Sequence, residues 1–225
     1  MVQKKTSVPK SGPGPSSPEA PAKRRGRPRA FEPEVALGRA LDTFRDSGFA
    51  ATSLDDLSAA MGINRPSLYG TFGDKRELFL KAYERYRAEA KVLFGAAFDP
   101  AFSLRQTLEK LYAIGIDFYT AGETGPRGCL TVMTAASEAM SDPEIRQIAQ
   151  NAIIGTDRNL TQRIAQAIKD GELPPETDAV TLGHVASATF QTLAIRARAG
   201  VSRVELEKLV KGTIDLICGP KRAKR

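Results

Sequence analysis

At 225 residues, with 41% hydrophobic and 26% charged side chains, the chain has enough apolar material for a folded core. No stretch approaches the run of about 18 apolar residues that a membrane-spanning helix needs, and the N-terminus lacks the apolar segment of a signal peptide. The formal net charge of +7 lies at the ends, because residues 1–30 carry eight Lys/Arg against one acid and residues 221–225 carry four basic residues. This asymmetry suits a chain that touches a polyanion with its ends. The two cysteines form no disulfide framework, so a reducing cytoplasm is the expected location, and no membrane partner is expected.

The reactive side chains give little sign of catalysis or metal binding. Cys129 and Cys218 show neither a CxxC pair nor zinc-site spacing, and His184 has no Cys, Asp or Glu at ligand spacing. No nucleophile–base pair or acid pair occurs at usable spacing in the sequence. A helical enzyme is therefore disfavoured, and we expect no catalytic residue, no metal and no cofactor.

Residues 1–30 are predicted to be a disordered basic tail. Six prolines alternate there with Ser, Gly and Lys, a composition that cannot bury a core. Its last part, AKRRGRPR, resembles an AT-hook, whose flat arginine–glycine path fits a narrow minor groove. One hypothesis is that Arg25, Arg27 and Arg29 enter the minor groove, and the alternative is a solvated basic tail with only general attraction. Residues 220–225 form a second basic tail.

From Pro33 onward the apolar spacing is helical throughout. The first helix is predicted at 33–47 and the second at 52–61, where Thr52 is the expected N-cap and Asp55 its partner three positions on. A third helix is predicted within 62–75, and a fourth from Asp74 to about 93. Later helices are predicted at 102–121, 128–140, 143–170, 176–199 and 202–218. No segment alternates apolar and polar residues, so the fold class is all-α.

The stretch GINRPSLYGTFGDK, residues 62–75, is predicted to complete a helix-turn-helix. Gly62 suits a left-handed turn, Asn64 suits an N-cap, and Pro66 in the first turn loses no hydrogen bond. Leu68 and Phe72 face inward at four-residue spacing, which leaves the residues between them to face outward. A short amphipathic helix within a helical core is the simpler alternative.

Residues 53–72, SLDDLSAAMGINRPSLYGTF, followed by GDKRELF, closely resemble the DNA-binding domain of the TetR family of transcriptional regulators. The match comprises the glycine turn, the Leu-Tyr pair, Phe72 and Lys75, and it covers about residues 31–90. The chain departs from the family pattern at Pro66 and Thr71. The resemblance implies an N-terminal helix-turn-helix DNA-binding domain, the head (31–93), and a larger C-terminal ligand-binding and dimerisation domain, the body (94–219).

Contacts with double-stranded DNA follow from the same resemblance. It implies phosphate contacts by Thr52, Ser67, Tyr69 and Lys75. It implies base-edge contacts by Arg65, Pro66, Gly70 and Thr71. Ser53 and Asn64 complete the predicted DNA-binding residues of the head. Because the head has nine basic and ten acidic residues, we expect it to need a second copy, or the basic tail, to hold DNA.

The body is expected to bind an unidentified small-molecule effector and a second copy of the chain. The resemblance implies a ligand cavity, although apolar stripes at this spacing also suit a plain core. The candidate lining residues are Phe98, Phe102, Leu111, Tyr112, Phe118, Tyr119, Cys129, Met133 and Phe190. The last two helices, rich in small and apolar residues, predict a four-helix dimer interface. Its predicted residues are Ala186, Phe190, Leu206, Leu209, Val210, Ile214 and Ile217.

These features predict a homodimeric, TetR-like repressor that leaves a palindromic operator when a small molecule occupies the body. Ligand binding would tilt the helix at 74–93 and change the separation of the two heads. One alternative is a redox- or electrophile-sensing regulator switched through Cys129, whose thiolate would be favoured by Arg127 and the helix N-terminus, against a simple buried cysteine. Another is an architectural DNA binder that acts through its tail alone, without operator preference.

Overall fold

The computed structural model describes residues 31–122 and 125–220, apart from the side chains of residues 135 and 136. Within these residues the chain is all-α, as predicted, with nine helices and no strand. The helices are α1 Pro33–Ser47, α2 Leu54–Met61, α3 Arg65–Phe72, α4 Lys75–Gly95, α5 Leu104–Thr120, α6 Leu130–Ser137, α7 Pro143–Lys169, α8 Ala179–Arg198 and α9 Arg203–Cys218. The predicted basic tails, with Arg25, Arg27 and Arg29, lie outside the described residues except for Pro220.

Side-chain caps determine where several helices begin. Asn64 caps α3, Asp74 and Glu77 form a reciprocal capping box on α4, and Asp142 and Ser202 cap α7 and α9. Each of these caps accepts a hydrogen bond from a first-turn backbone N–H that has no intrahelical partner. The sequence therefore predicts these helix starts correctly.

The predicted cap of α2 is wrong by one residue. Ser53, not Thr52, is the N-cap: the Asp56 backbone N–H donates to Ser53 Oγ (3.1 Å), and the Ser53 N–H donates to Asp56 Oδ2 (2.9 Å). The Thr52 side chain is 1% exposed and its hydroxyl donates to the Gly48 carbonyl at 2.6 Å. Asp55 therefore takes no part in the cap.

Two apolar clusters form the interior of the described chain. One contains Phe44, Leu57, Leu68 and Phe79 of α1–α4, and it also takes in Leu130 and Ile145 from α6 and α7. The other is built on α5, α7, α8 and α9. The head core is thus completed by residues of the body.

The small residues of α8 serve close packing inside one chain. A Cβ added at Gly183 would lie 2.2 Å from Thr161 Oγ1 on α7, a distance that no side chain tolerates. Ala186, Ala194 and Ala197 are buried, each at most 1% exposed. Gly183 therefore lets the two long helices α7 and α8 approach closely.

Candidate nucleic-acid interface

The turn between α2 and α3 has the geometry that the sequence predicts. Gly62 adopts a left-handed conformation (φ 68°, ψ 30°), which a side chain would strain. Asn64 Oδ1 accepts a hydrogen bond from the Ser67 backbone N–H at 2.9 Å, and Pro66 lies in the first turn. Leu68, in the middle of α3, is buried and packs into the head core. Together these residues fix the start of α3 against α2.

Helix α3 has one buried face and one open face. Leu68 is 0% and Phe72 4% exposed, whereas Tyr69 is 49% exposed. Gly70 lies in the middle of the open face, and a Cβ built there would meet no atom within 4 Å. Glycine weakens a helix interior, and no atom of the described chain crowds this position, so packing within the described residues does not require glycine here.

The beginning of α4 supports α3 from behind. Lys81 Nζ donates to the Phe72 carbonyl at 2.7 Å, which satisfies the C-terminal end of α3. Lys75 Nζ lies 4.5 Å from the centre of the Phe49 ring, a cation–π distance. Lys75 is half-buried at the first position of α4, where the positive end of the helix dipole also faces outward.

Most predicted DNA-contacting residues of the head are accessible. Ser53, Asn64, Arg65, Pro66, Tyr69 and Gly70 are exposed, and the half-buried members are Ser67, Thr71 and Lys75. Thr52 is the exception, because its side chain lies inside the domain and its hydroxyl is bonded to Gly48. The predicted role of the Thr52 side chain as a phosphate contact is therefore corrected to a structural role.

Arg65 has a partner that the sequence does not reveal. Its Nε donates to Asp55 Oδ1 at 3.0 Å, and its Nη2 lies 2.7 Å from Asp55 Oδ2. The sequence pattern predicts Asp55 as the capping partner of Thr52 on α2. A contact between Asp55 and a residue of α3 was therefore not expected. A helical wheel of α2 with the cap placed at Ser53 shows Asp55 as an exposed acid.

The predicted cavity residues come together mainly as close-packed core. Leu111, Tyr112, Tyr119 and Phe190 are at most 8% exposed, and Phe98, Phe118 and Cys129 pack against them. The Phe190 ring centre lies 5.6 Å from that of Tyr119 and 6.4 Å from that of Tyr112. Phe102 lies under Lys110 Nζ, 4.3 Å from the ring centre, and Met133 is half-buried on α6.

A groove elsewhere in the body was not predicted. It has a volume of about 220 Å³ and lies between α5 and α9. Its floor is apolar and its rim is charged, with lining residues Arg105, Glu109, Ala113, Ile116, Arg203, Glu207, Val210, Lys211 and Ile214. The groove shares no residue with the predicted ligand cavity.

Most of the predicted dimer residues lie on helix faces that are covered within a single chain. Six of the seven are buried within a single chain: Ala186, Phe190, Leu206, Val210, Ile214 and Ile217. Only Leu209 is partly accessible. The reason is that the periodic apolar face of each helix is used for the core of its own chain. The outward stripes instead carry Val180, His184, Ala188 and Ile195 on α8, and Gly212 and Leu216 on α9.

Ion pairs connect the start of α4 to the body. Arg76 Nε lies 2.5 Å from Asp142 Oδ2, and Arg76 Nη2 lies 2.6 Å from Glu144 Oε2. The hydrogen bond from Arg76 lowers the pKa of Asp142 from 3.8 to about 2, and the two acids raise the pKa of Arg76. Asp142 also caps α7, so one carboxylate joins the starts of two helices.

Two tyrosines continue this connection along α4. The Tyr83 hydroxyl lies 2.9 Å from Thr131 Oγ1, and the Tyr86 hydroxyl donates to Cys129 Sγ at 3.3 Å while accepting from the Leu130 N–H. Burial raises the pKa of Tyr83 to about 12 and the pKa of Tyr86 well above 10, so both stay protonated. The start of α6 is therefore hydrogen-bonded to α4.

Arg127 is not directed at the Cys129 thiol. Its Nε lies 2.6 Å from Asp46 Oδ1 and its Nη1 lies 2.8 Å from Asp42 Oδ1, both on α1. The guanidinium that was expected to support a Cys129 thiolate is therefore engaged in ion pairs, and a redox switch at Cys129 is not favoured. Burial raises the pKa of the other thiol, Cys218, to about 11.

The described residues contain neither a metal-binding cluster nor a membrane-spanning helix. Nowhere in them do three or more His, Cys, Asp or Glu side chains gather closely enough to hold a metal ion. None of the helices in this part of the chain combines the length and the apolar run needed to cross a bilayer.

A short outward-facing helix on a left-handed glycine turn, carried by a helical body, is the architecture of a helix-turn-helix protein. Two family profiles match the chain. "Bacterial regulatory proteins, tetR family" matches residues 36–82, and "Tetracyclin repressor-like, C-terminal domain" matches residues 106–212. The chain therefore belongs to the TetR family of transcriptional regulators, which are DNA-binding proteins and not enzymes.

Individual relatives agree with this assignment. HTH-type transcriptional repressor ComR of Escherichia coli (strain K12) is 30% identical over 200 residues, which are 86% of this chain and 92% of ComR. HTH-type transcriptional repressor BdcR of the same strain is 28% identical over 181 residues, 80% of this chain and 86% of BdcR. A cysteine mutant of the TetR family regulator CifR, solved with 26-base-pair double-strand operator DNA, is 31% identical with a TM-score of 0.77, covering 84% of this chain and 98% of that chain.

Proposed function

We propose that the chain is a cytoplasmic, homodimeric repressor that binds a palindromic operator through α3 and leaves it when a small molecule occupies the body. The observation that carries the proposal is the open face of α3, where Tyr69 is exposed and a Cβ added at Gly70 would have no neighbour within 4 Å. The names of ComR and BdcR as repressors, and the CifR complex with operator DNA, support this function.

In the proposed complex α3 lies in the major groove. Tyr69 and Ser67 contact phosphates beside it, and Lys75 adds a charge at the start of α4. Arg65, Pro66, Gly70 and Thr71 face the base edges, with the methyl and methylene groups of Thr71 and Pro66 suited to thymine methyl groups. Because the head has nine basic and ten acidic residues, one head alone binds DNA weakly, and two heads are required.

The second head comes from a dimer formed by the outward stripes of α8 and α9. Ala188 and Gly212 are exposed small residues that permit close helix approach, and Ile195 and Leu216 are 53% and 72% exposed apolar residues beside them. Two such helices from each subunit would bury these side chains in a four-helix bundle. Two-fold symmetry then sets the two reading helices about one DNA turn apart.

Release of DNA would follow from the contacts between α4 and the 127–145 segment. A ligand in the body that displaces α6 would move Tyr83 and Tyr86 through Thr131 and Cys129, and would move Arg76 through Asp142. Because α4 begins directly after α3, a tilt of α4 changes the spacing of the two reading helices. The ligand drives this change only if it binds the tilted state more tightly.

The DNA part of the proposal is tested by selecting sites for the full-length protein from random double-stranded DNA. We expect one enriched inverted repeat, protected in footprinting, with half-sites about one helical turn apart. Tyr69→Ala should weaken binding to that site at least about tenfold, whereas Tyr69→Phe should retain most of it. If no sequence is enriched, the chain is an architectural binder and the proposed operator function fails.

The regulatory part is tested separately. Placing the selected site over the promoter of a reporter should lower expression when the chain is co-expressed; raised expression would identify an activator. Small molecules that raise the melting temperature of the protein are then tested for release of the operator fragment, because a ligand bound to the folded state stabilises it. Ligands that stabilise the protein and leave DNA binding unchanged would contradict the proposed coupling.

A further inference from the structure

The Arg65–Asp55 pair is an unusual feature for a surface that is meant to meet DNA. Asp55 places a carboxylate beside the reading helix, and it holds Arg65 through Nε (3.0 Å) and Nη2 (2.7 Å). The side chains of Arg65 and Asp55 are 51% and 76% exposed. An ion pair so open to solvent adds little to folding stability, so its consequence must be sought in what it does to Arg65.

The geometry of the pair leaves part of the guanidinium free. A guanidinium has five N–H donors in a rigid plane. Asp55 takes the side formed by Nε and one hydrogen of Nη2, which leaves the end formed by Nη1 and the other Nη2 hydrogen. That end matches the O6 and N7 acceptors of guanine in the major groove, the commonest arginine–base contact. The carboxylate therefore orients the plane without consuming the reading edge.

Asp55 is itself held on a firm support. Its helix, α2, is fixed by the Ser53–Asp56 capping box and by Leu57, which is 0% exposed. Arg65 is the first residue of α3 and directly follows the Asn64 cap. Both ends of the ion pair thus start from rigid backbone, so the pair restricts a side chain that would otherwise sample many rotamers.

We propose that Asp55 is a positioning residue for Arg65 and thereby sets the preference for guanine at one position of each operator half-site. The inference rests on the proposed function, since α3 must enter the major groove for Arg65 to reach a base. Asp55 opposes general binding, because its charge repels phosphates, and it favours one sequence, because it fixes the arginine that reads the base. Its removal should therefore change affinity and specificity in opposite directions.

The test compares full-length wild type, Asp55→Asn, Arg65→Ala and the double variant on the selected operator and on versions with each base changed. Glu84→Gln is the control, since it removes the same charge from an exposed site on α4. For wild type we expect guanine to be favoured at least about tenfold at one symmetric pair of positions. For Asp55→Asn we expect that preference to fall below about threefold, with equal or tighter binding to the other sequences and an unchanged melting temperature.

The double variant separates positioning from simple charge. In the Arg65→Ala background, Asp55→Asn should leave base preference unchanged, because the residue to be positioned is gone. Glu84→Gln should keep the wild-type preference. Asp55→Glu, which retains the charge, should restore part of the preference lost in Asp55→Asn.

Three results would overturn the inference while the proposed function stands. Asp55→Asn could keep the wild-type preference although Arg65→Ala loses it. Arg65→Ala could leave base preference unchanged, which would show that Arg65 does not read a base. Asp55→Asn could tighten binding to all sequences equally, which would make Asp55 only a repulsive charge. A wild-type protein that selects no sequence would instead refute the proposed function itself.

Discussion

Replacing Gly70 by alanine should stabilise the protein and weaken its binding to DNA. Gly70 lies within α3, and a Cβ at this position meets no atom within 4 Å. Alanine in a helix interior is more stable than glycine by about 0.5–1 kcal/mol. For a chain of this size that corresponds to a rise in melting temperature of roughly 1–4 °C.

The effect on DNA binding should have the opposite sign. The added methyl stands about 1.5 Å beyond the Cα, on the face that approaches the bases. Hydrogen bonds to base edges tolerate only a few tenths of an ångström around about 2.9 Å, and each good bidentate contact is worth about 1–3 kcal/mol of discrimination. We therefore expect the affinity for the selected operator to fall about tenfold or more, equivalent to about 1.4 kcal/mol.

Gly155→Ala provides the matched control. Gly155 also lies inside a long helix, α7, and a Cβ there likewise meets no atom within 4 Å. This variant should gain a similar stability and bind operator DNA as wild type does. Thermal unfolding and fluorescence anisotropy with labelled operator give both quantities. If Gly70→Ala is stabilised and binds the operator within about threefold of wild type, close approach at Gly70 is refuted.

Three further predictions concern charge, the ion pair at the junction and the dimer. Lys75→Ala should weaken binding to all DNA sequences alike. It should also reduce the slope of the logarithm of the binding constant against the logarithm of salt concentration by about one per half-site, which anisotropy at several salt concentrations measures. Asp142→Asn keeps an α7 cap but weakens the pair with Arg76, so it should cost about 1 kcal/mol near neutral pH. Since the Asp142 pKa is lowered from 3.8 to about 2, this stability is present above pH 3.8 and is lost as pH falls through about 2. The stability of Asp142→Asn should therefore fall less than that of wild type as the pH is lowered from 3.8 to about 2. If the stability of the two proteins falls equally over this range, the role of the ion pair is contradicted. Ala188→Glu on the outward stripe of α8 should give monomers in light scattering and abolish cooperative operator binding, while Ala88→Glu on α4 should remain dimeric.

The starts of α3, α4, α7 and α9 were predictable because their signals are local. Asn64, Asp74 and Ser202 each precede a periodic apolar run and each caps the helix that follows. The error at α2 has a local cause too. Thr52 and Ser53 are adjacent hydroxyl residues with adjacent acids three positions on, so the sequence offers two equivalent capping boxes. Burial of Thr52 against Gly48 selects Ser53, and this contact depends on how α1 ends.

The assignment of surfaces was less predictable. An apolar stripe shows that a helix face is buried, but not whether its own chain or a second copy covers it. The spacing of Leu206 and Ile214 on α9 predicts a face toward a partner, whereas both lie in the core of their own chain. The ion pairs of Arg127 with Asp42 and Asp46 join residues more than 80 positions apart, a distance over which no local pattern carries information.

The sequence by itself determined the all-α class, the helix-turn-helix and its two faces, because caps, turn glycines and apolar spacing act within a few residues. It also identified the family through the motif at 62–75. Only the tertiary structure decided which acid meets Arg65, which faces of α8 and α9 remain open, and how Arg76, Tyr83 and Tyr86 tie α4 to the body. These features depend on the relative placement of helices, which is set by long-range packing and not by the local spacing of residues.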